Sequence, residues 1–210
     1  MKDYIDVSRY QGMIDWSQVK SHVGGAMLKT VSTNKSFGGI YIDPQFERNY
    51  AECKRLGIPV GAYYYTYAQD AATARAELAK LREALAGKSF ELPIVVDVEE
   101  NKLKPLSADA LTDLVIFAAE TIESWGMYAM VYTYTYYSQT ELNMDRLSAY
   151  DLWIADYRAN RPTRKHGMWQ YTSEYYMPGV PEGDGLVDMS HVYKDYPSII
   201  TRAGLTTMRG

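Results

Sequence analysis

From Tyr4 to Tyr132 the chain keeps one rhythm, a short apolar strand-like segment followed by a helix with a single apolar face. The strand-like segments are Tyr4 to Val7, Ala26 to Val31, Ile58 to Tyr65, Pro93 to Val98 and Tyr128 to Tyr132. Between them, Asp15 caps a short helix carrying Trp16 and Val19, and Asp43-Pro44 opens a second whose stripe is Phe46, Tyr50, Cys53 and Leu56. A third runs from about Asp70 on Ala71, Ala74, Leu78, Leu81 and Leu85, and a fourth follows Ser107 on Leu111, Leu114, Val115, Ala118, Ile122 and Trp125. After Tyr132 the rhythm changes. Segments 151–156, 167–171 and 185–188 read as three more strands, but Pro, Gly and polar residues separate them instead of helical stripes. Five strands with crossover helices and three without predict an α/β fold, a parallel-rich TIM-like barrel whose last third closes through loops and hairpin-like pairings. Residues 1–195 are expected to form this one domain, and 196–210 a tail that packs on it or leads to a further module.

A chain of 210 residues, 47% hydrophobic, can bury one substantial core, and it must do so without disulfides because Cys53 is its only cysteine. Cys53 sits in a helical apolar stripe, where a structural thiol is expected rather than a nucleophile. Twenty-two Lys and Arg against 26 Asp and Glu give a net charge of −4, which argues against a nucleic-acid partner and against adsorption to an anionic membrane. The N-terminus enters the first strand with no apolar signal segment, and no apolar run approaches the roughly 20 residues of a membrane span. The expectation is a monomer made in the cytoplasm, with a separate route of release if it acts outside the cell.

The fourth strand ends an apolar run with three carboxylates, Asp97, Glu99 and Glu100. Side chains alternate along a strand, so Asp97 and Glu99 share a face while Glu100 turns to the other and drops out of the site. Two carboxyls on one partly desolvated face push one pKa up, as acid–base chemistry near neutral pH requires. In a βα barrel the catalytic rim lies at the C-terminal strand ends, and Asp6, Asp97 with Glu99, Asp156 and Asp188 all fall at or near such ends. A lone Asp there also serves as a turn or cap residue, a description that fits Asp156 best. Twenty tyrosines and four tryptophans offer flat faces for sugar rings. Tyr63, Tyr65, Tyr132, Trp153 and Trp169 lie on or near strand ends and, with Asp156, make up the candidate substrate-binding set. Tyrosine also favours half-buried strand positions, which accounts for at least half of the twenty. Paired carboxylates in an aromatic cleft suit glycoside hydrolysis.

Several short motifs occur in a fixed order from about Tyr4 to His191. They are Asp6-Val7-Ser8 with Gln11-Gly12 and Ile14-Asp15-Trp16, then Gly61-Ala62-Tyr63, Pro93 to Glu99, Trp153-Ile154-Ala155-Asp156-Tyr157, Trp169-Gln170-Tyr171 and Val187-Asp188. Together they resemble glycoside hydrolase family 25, the Chalaropsis-type lysozymes, many of them phage endolysins. The resemblance implies a flattened (β/α)5(β)3 barrel and cofactor-free N-acetylmuramidase action on bacterial peptidoglycan, with retention of configuration. By motif, Glu99 corresponds to the family's general acid, Asp97 to its partner, Asp6 to the aspartate of the first strand and Asp188 to that of the last. Two positions depart from the pattern. Lys29-Thr30-Val31-Ser32-Thr33 supplies no glutamate after the second strand, and Tyr64 stands where many relatives have histidine. Lys29 is read as either structural or substrate-orienting.

The residues themselves leave other routes open. Carboxyls on alternate strand residues start from Cα atoms about 6.6 Å apart, a spacing that suits either the retaining or the inverting separation. His22, His166 and His191 are scattered, which disfavours zinc, whereas a magnesium site on Asp97, Glu99 and Asp188 stays open. The rival from another class is a noncatalytic glycan-binding barrel, which would predict a disrupted carboxylate cluster.

Overall fold

The computed structural model describes residues 2–158 and 160–209. In chain order its elements are β1 (Tyr4–Val7), α1 (Trp16–Val19), β2 (Gly25–Asn34), β3 (Gly39–Ile42), α2 (Phe46–Leu56), β4 (Val60–Tyr65), α3 (Ala71–Leu85), β5 (Ile94–Asp97), α4 (Ala108–Ser124), β6 (Ala129–Tyr134), α5 (Thr135–Thr140), β7 (Asp151–Ala155), β8 (Met168–Tyr176), β9 (Leu186–Val192) and α6 (Tyr196–Ala203). Strands β1, β2, β4, β5, β6, β7 and β8 follow one another in parallel around a wall. β9 closes it, antiparallel to both β8 and β1. Eight strands thus form a closed barrel whose first five connections carry helices and whose last two do not, the α/β order expected from the rhythm of the chain.

Three local features differ from the sequence reading. β2 runs three residues past Val31 and returns as β3, an extra strand paired to its end outside the barrel. Ser32 and Thr33 continue the strand with polar residues, and Gly38 and Gly39 take the positive φ values of 79° and 111° that turn the hairpin. The Asp43-Pro44 pair does not begin α2, which starts at Phe46. The Asp43 carboxylate instead accepts from Gln45 N at 2.9 Å and from Arg9 N at 3.0 Å, tying this turn to the loop after β1. α5 was not foreseen, since Thr135 to Thr140 carries no apolar stripe.

The core has two layers, and strand alternation divides them. Outward residues such as Ile5, Leu28, Val60, Ile94, Val96 and Val131 pack under the helices. Inward residues Tyr4, Met27, Val95, Met130, Trp153 and Met168 fill the barrel. Gly61 belongs to the inner layer because a Cβ there would lie 2.6 Å from Met27 Sδ and 2.7 Å from the Pro93 carbonyl oxygen. Across the end opposite the catalytic rim, α6 presses Tyr196 and Ile200 against the inner layer. Beyond it, Thr206 O accepts from Phe90 N at 2.8 Å and Arg209 N donates to Trp125 O at 2.7 Å, so residues 196–209 pack on the barrel.

Candidate active site

The strand parity that puts Val95 inside the barrel carries Asp97 to the rim and Glu99 just beyond it, while Val96 and Val98 stay in the outer layer. Glu100 turns away. Its carboxylate accepts from Lys102 N at 3.1 Å and from the Tyr65 hydroxyl at 3.4 Å, which makes it a cap for the following turn. Asp6 and Asp188 are direct cross-strand partners on β1 and β9. All four predicted carboxylates, Asp6, Asp97, Glu99 and Asp188, therefore line one cleft of about 200 Å³.

Burial governs their electrostatics. It is the largest cause pushing Asp97 well above the usual carboxylate range, reinforced by Glu99 and opposed by the Lys29 ammonium. Glu99 rises to about 7, again chiefly through burial, with Lys29 as the main opposing influence. Asp6 is raised well above its ordinary value by burial and then by Asp188, and Asp188 is raised by burial too. Carboxyls that act on one another in this way titrate as pairs, Asp97 with Glu99 and Asp6 with Asp188, and in each pair burial favours keeping a proton. Four buried side-chain polar atoms among the described residues have no hydrogen-bond partner, and two of them are Asp97 Oδ1 and Glu99 Oε2. An unpaired buried oxygen is costly, and here two of them belong to residues that line the cleft.

Gln170 organises the opposite wall. Its Oε1 accepts from the hydroxyls of Tyr132 and Tyr157, each at 2.8 Å. Those two donors fix the orientation of the amide, whose Nε2 then donates to both oxygens of Asp6, at 3.2 and 3.1 Å. Lys29, on β2, stands 4.7 Å from the Tyr65 ring centroid and 6.0 Å from that of Tyr63, a cation held over aromatic faces beside the carboxylates. It lines the cleft.

The predicted aromatic set divides. Tyr63, Tyr65, Tyr132 and Trp153 do line the cleft. Trp153, only 2% exposed, is its floor, with the indole N–H donating to Ser190 Oγ at 2.9 Å. Trp169 points the other way. On β8, Met168 and Gln170 face inward, so Trp169 lies on the outer surface against Leu152 and Ile154, and its indole donates to the Asp156 carbonyl. The Asp156 side chain is engaged by Arg158 and lies in a neighbouring depression, so this residue acts as the loop-capping aspartate that its setting suggested. The sequence does not single out the mouth tyrosines, Tyr10, Tyr134 and Tyr157, which at 60%, 37% and 45% exposure are the open aromatic faces of the cleft. Counting alternate residues from Trp153 through Ala155 to Tyr157, and from Met168 to Gln170, would have found two of the missed residues.

The second-strand rim also has a carboxylate, supplied by a helix. Glu77 of α3 is fully buried and accepts from Thr33 Oγ1, Thr66 Oγ1 and Tyr67 N at 3.3, 2.6 and 2.9 Å. Tyr64 faces the outer layer, away from the cleft. No group of three or more His, Cys, Asp or Glu side chains among the described residues converges in a geometry that would hold a metal ion.

A sequence profile described as Glycosyl hydrolases family 25 matches residues 5–180. The chain belongs to glycosyl hydrolase family 25. Its family 25 likeness extends to the YegX protein of Escherichia coli O157:H7, 31% identical over 192 residues that cover 89% of this chain and 67% of that protein. The autolytic lysozyme of Clostridium acetobutylicum is 28% identical over 75% of this chain and 46% of its own length. Among solved structures, the modular autolysin LytC of Streptococcus pneumoniae superposes with a TM-score of 0.78 at 29% identity, covering 91% of this chain and 46% of that one. The bacterial lysozyme of Streptomyces coelicolor gives 0.78 at 24% identity over 92% of both chains, a likeness of fold. The chain thus spans about half the length of the autolytic lysozyme and of the autolysin. As a family 25 member it is a glycoside hydrolase.

Proposed function

We infer that this cleft hydrolyses the β-1,4 bond between N-acetylmuramic acid and N-acetylglucosamine in bacterial peptidoglycan. The observation that carries the reading is Glu99, a buried carboxyl lifted to about 7, facing the cleft with an unpartnered oxygen and flanked by three more carboxyls. A group with that pKa is about half protonated at neutral pH and can both give its proton to a leaving glycosidic oxygen and take one back from water. In the first step Glu99 protonates that oxygen as the C1–O bond breaks, and the sugar develops oxocarbenium character. Asp97, whose Oδ1 has no partner in the protein, accepts the N–H of the 2-acetamido group and turns its carbonyl oxygen onto C1. The resulting cyclic intermediate is opened by water, with ionised Glu99 as base, and configuration is retained. Asp6 and Asp188 carry the shared negative charge that steadies the developing cation, and Gln170 holds Asp6 in place. One chain supplies every group in this scheme, so a monomer is sufficient, and the site of action is the wall after release from the producing cell.

Digestion of purified sacculi followed by mass spectrometry of the new reducing ends tests the bond assignment. Reducing muramic acid is expected; reducing glucosamine would reassign the enzyme, and intact glycan would favour a binding barrel. Proton NMR of the first-formed anomer tests the stereochemistry. An initial α-anomer from the β-linked substrate would overturn retention.

A further inference from the structure

A large cavity of the fold lies outside the catalytic cleft. It is a groove of about 910 Å³ beside β7, between α5 and the loop that leads to β8. Five cations line it, Arg158, Arg161, Arg164, Lys165 and Lys194, against the carboxylates Asp145 and Asp151. Lys194 is paired with Asp151, and Arg158 with Asp156. Arg161, Arg164 and Lys165 form no ion pair among the described residues, a local excess of positive charge on a chain whose net charge is −4.

The loop that carries them is clamped. The Arg161 guanidinium stands 3.7 Å from the Tyr193 ring centroid and donates to His166 Nε2 at 3.1 Å. His166 is buried, and its Nδ1 donates to the Arg164 carbonyl at 2.6 Å, which matches the neutral ring that burial favours. The groove is also continuous with the active site. It shares Thr135, Gln139 and Arg158 with a depression of about 540 Å³, and that depression shares Glu99, Tyr134 and Tyr157 with the catalytic cleft.

We propose that this groove binds the acidic peptide borne by the lactyl group of muramic acid, so that Arg161, Arg164 and Lys165 give the enzyme a preference for peptide-bearing glycan. The proposal rests on the muramidase reading above. Charge complementarity sets the ligand class, an oligopeptide with free carboxylates. Continuity with Glu99 favours a substituent of the same substrate over a separate anionic polymer, because a peptide tethered to the bound sugar meets the groove at high effective concentration.

The test compares peptide-bearing glycan chains with the same chains after amidase has removed the peptides, using wild type and Arg164→Gln/Lys165→Gln. These two side chains are exposed and make no hydrogen bond or ion pair among the described residues, whereas Arg161 holds the loop through His166 and Tyr193. Wild type is expected to favour the peptide-bearing chains in kcat/KM, with the difference carried by KM and weakened by salt. The double variant should lose roughly fivefold on those chains, the effect of two exposed charge contacts, while cleaving stripped chains as wild type does. Failure of wild type to cleave either substrate would sink the muramidase reading itself. Cleavage of both with no peptide preference, or a preference that the variant keeps, overturns the proposal alone. A preference unchanged by the variant but accompanied by weaker binding to a phosphodiester wall polymer would assign the groove to that polymer instead.

Discussion

Replacing Glu99 with glutamine should make the protein more stable at alkaline pH while nearly abolishing turnover. The carboxyl ionises at 4.5 when solvated and at about 7 in the fold, mainly because it is buried. A raised carboxyl destabilises the folded state once it must be charged, so its stability contribution is intact below pH 4.5 and is lost as pH rises toward about 7. Fully ionised, a group with that displacement costs about 3 kcal/mol, and sharing its proton with Asp97 lowers this to between about 1 and 3 kcal/mol. An amide of the same shape carries no charge at any pH. Glu99→Gln should therefore match wild type at pH 4 and exceed it at pH 8, raising Tm there by about 2 to 10 °C for a chain of this size. Thermal unfolding at the two pH values measures this, with sacculus turnover followed in parallel and expected to fall about a hundredfold to ten-thousandfold. A variant that is no more stable than wild type at pH 8, or whose advantage is the same at pH 4, would refute the placement of a buried, proton-holding Glu99.

Gln170→Met should leave the fold intact but strand two tyrosine hydroxyls and the Asp6 carboxylate, lowering kcat about tenfold to a hundredfold with little change in KM; an unaltered kcat would remove Gln170 from the positioning of Asp6. Trp169→Phe should leave kcat and KM unchanged because its ring packs outside the barrel, so loss of substrate affinity would mean that the outer surface of β8 takes part in binding. Gly167→Ala places a Cβ 1.8 Å from the Tyr196 hydroxyl and should cost about 2 kcal/mol by prising α6 from the barrel, measurable by urea unfolding. Excess chelator should not reduce the rate, whereas a loss restored by magnesium would redirect the mechanism to a metal held by the carboxylates.

The sequence was most legible where one physical signal acted alone. Short apolar segments and capped helices up to Tyr132 announced the parallel wall, because each strand there is covered on both faces and reads as a continuous apolar run. The end of β2 was illegible since Ser32, Thr33 and Asn34, which pair with Tyr41, Ile40 and Gly39 of β3, are polar residues that look like loop. On β5 the parity could be counted from an unbroken run, and Asp97 and Glu99 came out on the inner face. On β8 no helix marks which face is covered, and Trp169 and Gln170 are adjacent residues that would each suit a sugar cleft. Trp169 is buried on the outer surface by neighbours that the missing helix leaves in place. Lys29 was hard to assign because a lone lysine on an apolar strand has no local signature, and only the barrel brings it to the carboxylates. Gln170 and Asp6, 164 residues apart in the chain, belong to the same class of contact.

That separation has a consequence for how the enzyme comes into being. Of the eight barrel strands the one carrying Asp6 is made first, while the strands bearing Gln170 and Asp188 are made last, and β9 is the piece that joins β8 to β1. Asp6 meets neither partner until the ring has closed, so a partly synthesised chain contains the acid residue Glu99 yet lacks the wall that would make it useful. The contacts that hold Asp6 against Gln170 and Asp188 are therefore made only once the last strands have joined the first.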